Sequence, residues 1–145
     1  MRLVLQRVRR ASVSTGGAEA ARIGPGLVIL VGFTAQDGPA ALEQAVKDVV
    51  ELRLFDDERG RPSRSLLETG GEVLVVSEIT LVASLAKGRR PSFDPAAPPD
   101  AAKALFSAFV DSLKRAHPKV QTGVFQADMI VSLDNDGPVT FVLDY

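Results

Sequence analysis

The chain has 145 residues, 46% hydrophobic and 24% charged, with a formal net charge of −1. These values match ordinary globular usage and exclude a disordered or fibrous chain. Cysteine is absent, which removes disulfides, thiol nucleophiles and thiolate metal sites together.

A near-neutral chain is not the strongly basic body of many nucleic-acid binders, so any such contact must use a local patch. Two are available: Arg7, Arg9 and Arg10 near the start, and Lys87, Arg89 and Arg90 farther on. For both, solvated surface charge is the plain alternative.

Residues 2–14 alternate apolar and polar as a half-buried strand does. Gly16-Gly17 turns the chain into a short strand near Glu19 to Ile23, and Gly24-Pro25-Gly26 turns it again before the apolar run 27–33, a buried central strand. From Asp37-Gly38-Pro39 the period changes: Leu42, Ala45, Val46, Val49, Val50 and Leu54 predict an amphipathic helix. Asp56, Asp57 and Gly60 read as a loop. Val73 to Val76 is a third core strand, which stops at Ser77 and resumes at Thr80. Residues 87–99 form an irregular excursion. A second helix is predicted from Pro99 or Asp100 to Ala116, with Ala104, Leu105, Ala108, Phe109 and Leu113 on one face and Pro118 past its end. Strand returns over Ala127 to Leu133 and Val139 to Leu143, separated by a turn at Asn135-Asp136-Gly137-Pro138.

Strands before and after two helices predict one mixed, β-rich α/β domain over residues 1–145, with a mixed or barrel-like sheet and two main helices. The N-terminal segment MRLVLQRVRR has no signal-peptide run. The longest apolar stretch, Gly26 to Phe33, is far short of the ~20 residues that span a bilayer. No membrane association is expected, and the cytoplasm is the expected location.

Conventional catalytic constellations are missing. The single histidine, His117, stands where the second helix ends, a structural position that suits a cation. With no cysteine, no metal cluster of the zinc type can be built, and HExxH, GxSxG and GxxxxGK[ST] strings do not occur. Neither a metal nor an organic cofactor is expected. What remains is backbone chemistry: the segment from Ser77 to Leu81 offers N–H groups where a core strand meets the surface, and such groups can hold a developing oxyanion. An ordinary strand end is the alternative, and Thr80 as a nucleophile lacks a base that the sequence can name.

Short strings follow one another in order along the chain: Gln6-Arg7-Val8, Ala11-Ser12-Val13, Gly70-Gly71, Val73 to Ser77, Thr80-Leu81, Arg90-Pro91-Ser92-Phe93, Gln121-Thr122-Gly123, Ala127-Asp128-Met129, Val131-Ser132-Leu133 and Asn135 to Phe141. Through these pieces the sequence resembles, over essentially its whole length, the D-aminoacyl-tRNA deacylases. The resemblance implies a homodimer with its active site at the subunit interface, hydrolysing the ester of D-aminoacyl-tRNA, and of glycyl-tRNA mischarged on tRNA-Ala. It places Ser77, Glu78, Ile79 and Thr80 at the ester carbonyl, with the terminal ribose 2'-hydroxyl assisting. It assigns Gly137 and Pro138, a cis pair, to the rejection of L-amino acids in the partner's pocket. Arg7 would hold that pair, a strand-surface charge being its alternative reading, and Phe125 and Met129 would lie near the pocket. Where the family has Gln and Phe, this chain has Glu78 and Ile79. Two competing readings are a catalytically silent dimer that binds nucleic acid through the two arginine patches, and a related deacylase of relaxed chirality.

Overall fold

The computed structural model describes residues 1–86 and 88–145. The long strand β1, Arg2–Thr15, organises the sheet. Its first half, residues 2–8, pairs antiparallel with β3, Gly26–Gly32, and its second half, residues 11–15, with β2, Ala18–Ile23. β3 then pairs in parallel with β6, Glu72–Ser77, and β6 with the short β7, Val120–Thr122. Beyond β7 the sheet curls back toward β2, where the Gln121 amide donates to the Arg22 carbonyl at 2.7 Å and accepts from the Arg22 N–H at 3.3 Å. The result is the mixed, nearly barrel-like sheet expected from the sequence.

Two helices cover one face. α1, Pro39–Glu51, starts with proline in its first turn and buries Leu42, Ala45, Val46, Val49 and Val50, the predicted stripe; Leu54 is buried just beyond the helix. α3, Pro99–Ala116, is rotated from the prediction: it buries Phe106, Phe109, Val110 and Leu113, while Ala104 and Ala108 face outward. Larger side chains remove more apolar area from water than alanine does, so they set the buried face. The sheet has a second apolar layer, in which Val28, Leu74 and Val76 meet Val8, Val13 and Ile23. β3 and β6 are thus covered on both sides, which is why they read as continuous apolar runs.

Several smaller elements differ from the expectation. Phe55–Asp56 and Pro62–Arg64 form a two-stranded hairpin, β4 and β5, around the predicted loop. Leu66–Thr69 is a one-turn helix, α2, whose Ser65 and Glu68 form a reciprocal capping box, an S-x-x-E signature present in the sequence. His117 takes the structural role: it ends α3, is buried, and its Nε2 lies 2.7 Å from the Gly71 carbonyl oxygen.

The largest correction concerns the last strand. β8 runs unbroken from Ile130 to Asp144, antiparallel to β1 along almost its whole length. Asn135 to Pro138 therefore do not reverse the chain. They form an irregularity in one strand, where the register against β1 shifts twice between Gln6 and Arg10. Ala127 to Met129 lie outside the strand.

Candidate functional site

β6 leaves the sheet at Ser77, and the chain turns at once. The Glu78 N–H donates to the Val31 carbonyl at 2.8 Å, and the Glu78 carbonyl lies so close to β3 that a Cβ on Gly32 would sit 2.7 Å from it. Ile79–Val82 then winds as a 3-10 turn, not as the resumed strand expected from Thr80. Glu78 caps this turn: its Oε1 accepts the Thr80 N–H at 3.3 Å and also the Thr80 hydroxyl. A carboxylate thus stands beside Thr80, a neighbour that sequence reasoning did not name. The acid at the N-cap with a hydroxyl residue two positions on was the available signal.

Capping divides the backbone amides of this segment. Glu78 N–H is held by Val31, Thr80 N–H by the Glu78 carboxylate, and Leu81 N–H by the Glu78 carbonyl at 3.3 Å. Among the described residues, the Ile79 N–H has no hydrogen-bond partner, as the first amide of a helical turn commonly has none.

A cavity of about 540 Å³ opens at this point. Ser77, Glu78 and Ile79 form part of its wall, and Phe125 and Met129 line it as well. Phe125 is fixed from behind by Phe106, the ring centroids 5.6 Å apart. Between Phe125 and Met129 the chain makes a turn in which Gln126 adopts φ 62°, a left-handed conformation uncommon for a residue with a side chain. Among the described residues the lining carries two charged side chains, Glu78 and Asp128, both acidic. Thr80 is exposed and stands outside the lining.

The remaining predicted residues, Arg7, Gly137 and Pro138, lie elsewhere on the protomer. Arg7 is 8% exposed. Its Nη1 donates to the Leu54 carbonyl at 2.8 Å and its Nε to the Asp136 carbonyl at 3.0 Å. It pairs with the carboxylates of Asp56 and Asp136, each at 3.1 Å. It is therefore a buried anchor and not a strand-surface charge. The Asn135 amide donates to the carbonyls of Arg7 and Val139, both at 3.0 Å. Together these groups clamp the segment that carries Gly137-Pro138, whose peptide bond is cis. Both residues are exposed on the outer side of β8. The sequence predicts a turn at Asn135 and Asp136 and gives them no part in the site; their place beside Arg7 depends on the register of β8 against β1.

Known proteins are similar to this chain in sequence and in fold. The family model described as D-Tyr-tRNA(Tyr) deacylase matches residues 4–144. A D-aminoacyl-tRNA deacylase of Heliobacterium modesticaldum is 49% identical over 144 residues, covering 99% of this chain and 96% of that one. One of Bacillus velezensis is 48% identical, with 99% and 98% covered. Among solved structures, the c-Myc DNA unwinding element binding protein superposes with a TM-score of 0.95 at 37% identity, covering 100% of this chain and 99% of that chain. A probable eukaryotic D-amino acid tRNA deacylase, at 19% identity and a TM-score of 0.87, shares the fold. With its fold, its cavity and its clamped Gly-Pro segment in view, the chain belongs to the D-Tyr-tRNA(Tyr) deacylase family.

Proposed function

We propose that the chain hydrolyses the ester of D-aminoacyl-tRNA, and of glycyl-tRNA, in the cavity between the Ser77–Ile79 segment and Phe125–Met129. Family membership supports the reaction. The observation that carries the site is the uncommitted Ile79 N–H at the cavity wall, next to three amides already in use. An ester carbonyl placed there gains charge as water adds, and one preorganised N–H is worth ~2.7 to 4 kcal/mol to such an oxyanion. Water attacks the carbonyl carbon, the bond to the ribose oxygen breaks, and free amino acid and tRNA leave. The ribose 2'-hydroxyl assists, as the family resemblance implies, and in this reading it passes the proton of the attacking water to the leaving ribose oxygen.

Thr80 has a positioning role in this reading. Its proton is engaged by Glu78 and its hydroxyl stands outside the cavity lining. Thr80→Ala is expected to keep hydrolysis within about tenfold of the parent, the low end of what a hydrogen bond to a charged group is worth, because this one is exposed to solvent. Trapping an aminoacyl ester on Thr80 would show a covalent route instead.

Glu78 replaces the family glutamine. Glu78→Gln leaves an oxygen to accept both Thr80 donors and removes the charge, so the fold should be unchanged. Two like charges ~10 Å apart repel by ~0.4 kcal/mol in water, so tRNA affinity should stay equal or rise about twofold. A loss of binding measured by titration would assign the carboxylate a positive role.

The same reading makes the active form a homodimer. Its supports are the free outer edge of β8, the exposed Ile130, Phe141 and Val142 on that strand, and the placing of Gly137-Pro138 outside the protomer's own cavity. In the dimer this pair reaches the partner's cavity and leaves no room for an L side chain, while a D side chain or glycine passes. Discrimination then comes from exclusion and not from added attraction. Hydrolysis of D-Tyr-tRNA and Gly-tRNA, with L-Tyr-tRNA spared, tests reaction and selectivity together. Equal rates on D- and L-Tyr-tRNA would favour a deacylase of relaxed chirality, and no hydrolysis of any of the three a silent binder. The location expected is the cytoplasm; among the described residues no helix is long and apolar enough to cross a membrane.

A further inference from the structure

We propose that Arg89 and Arg90 hold the phosphodiester backbone of the single-stranded RNA end whose ester enters the cavity, and that the arginine patch at the start of the chain does not. The proposal rests on the cavity being the ester site.

Charge pairing separates the two patches. Arg9 and Arg10 are matched by Asp136 at 3.1 Å and Asp134 at 2.7 Å, and Arg7 is buried. Arg2 and Arg22 are likewise paired, with Asp144 and Glu19. Such pairs add little stability, but they cancel the local field, so a phosphate approaching them meets no net positive charge. Arg89 and Arg90 are exposed and make no ion pair with a described carboxylate. Lys87, the third member of that patch, lies outside the described residues. Arg53, Arg59, Arg64 and Arg115 also make no ion pair with a described carboxylate, but the first three lie at the β4–β5 hairpin and Arg115 in the last turn of α3, and none adjoins a lining residue of the cavity as Arg90 adjoins the Pro91–Phe93 segment.

Position supplies the second argument. Ser84 and Ser92 exchange two backbone hydrogen bonds, of 2.8 and 2.9 Å, and so fix the base of the arm that carries both arginines. Phe93 follows directly and lines the cavity. Three residues span at most ~10 Å, so Arg90 is held near the mouth. There Ile79 and Phe93 line the cavity and are 53% and 44% exposed, and the Phe93 ring offers a face on which a base can stack. Aromatic platforms joined to cations are the usual means of holding single strands. Among the described residues the charged side chains of the lining are Glu78 and Asp128, both acidic, so phosphates are favoured at the rim, where the arginines are.

The test compares two substrates with the same ester, ribose and base: D-Tyr-tRNA, and 3'-O-D-tyrosyl-adenosine, which has no phosphate. For Arg89→Gln/Arg90→Gln, two lost contacts at a slope of ~0.7 each should raise KM for D-Tyr-tRNA about 25-fold at 0.1 M salt and lower the salt slope by ~1.4. kcat should be unchanged, because the contact is equal in ground and transition states. Hydrolysis of the adenosine ester should not change. The charge-matched control Arg22→Gln/Arg61→Gln, which removes two ion-paired arginines, should behave as the parent. An unchanged KM and slope would overturn the proposal, as would an equal loss on the adenosine ester or an equal loss in the control. If the parent hydrolyses neither substrate, the ester-site reading fails, an outcome distinct from those.

Discussion

Replacing Arg7 with methionine is expected to destabilise the protein by about 3 kcal/mol, the lower end of what breaking a buried ion pair costs, since both carboxylate partners are more than one-third solvent-exposed. The guanidinium serves two carbonyls and two carboxylates from one buried position: Leu54 O, Asp136 O, Asp56 and Asp136. Methionine replaces the aliphatic stem but ends short of the guanidinium, leaving the Leu54 and Asp136 carbonyls without this donor and two carboxylates without their cation. A loss of this size lowers Tm by roughly 10 °C in a domain of this length. Hydrolysis should fall further than stability alone explains, because Asp136 immediately precedes Gly137 and loses its anchor. Arg7→Lys should be intermediate: one ammonium cannot reproduce the planar fork that reaches Leu54 on one side and Asp136 on the other. Thermal unfolding and D-Tyr-tRNA hydrolysis measured on both variants decide it. A methionine variant with the parent's Tm and rate would show that Arg7 anchors nothing.

How much of this was legible in the sequence depends on whether the signal was periodic. The alternation of β1, the continuous apolar run of β3 and the stripe of α1 each follow from burial on a defined face, and each is found where the pattern puts it. Asn135-Asp136-Gly137-Pro138 illustrates the limit. These residues have turn chemistry, yet turns and strand irregularities draw on the same residue types. What decides between them is that residues on both sides find partners on β1, a long-range fact with no local signature. The cavity is similar in kind. The two parts of its lining lie some 50 residues apart in the chain and are joined by the order of β3, β6 and β7, so composition and spacing could nominate Ser77–Thr80 but could not bring Phe125 and Met129 to the same cavity; the resemblance did that. The 3-10 turn was missed because the apolar Ile79, Leu81 and Val82 fit a strand equally well, and the cap from Glu78 tips the balance.

Gly137→Ala should strike function hardest. A Cβ at this position would lie 2.3 Å from Asn135 Oδ1 and 3.1 Å from the Val139 N–H nitrogen. The first contact falls on a side chain that is not free to yield, because the Asn135 amide donates to the carbonyls of both Arg7 and Val139. Either Asn135 gives up these bonds or the Gly137-Pro138 segment shifts by an ångström or so. Stability should change little in the second case, since the segment is exposed on an edge strand. Catalysis should not be spared. If this segment forms one wall of the partner's cavity, a misplacement near 1 Å costs on the order of 100-fold in rate. Selectivity should suffer with it, because exclusion works only while the wall stands where an L side chain would go. The expected result is a near-parental Tm, a fall of about two orders of magnitude in kcat/KM for D-Tyr-tRNA, and a reduced preference for D- over L-Tyr-tRNA. Asn135→Ala, which loosens the same clamp without adding an atom at position 137, should move the D/L ratio in the same direction with a smaller effect. If Gly137→Ala keeps both the rate and the ratio of the parent, the Gly137-Pro138 segment is not the wall of the site, and selectivity must come from the cavity's own lining.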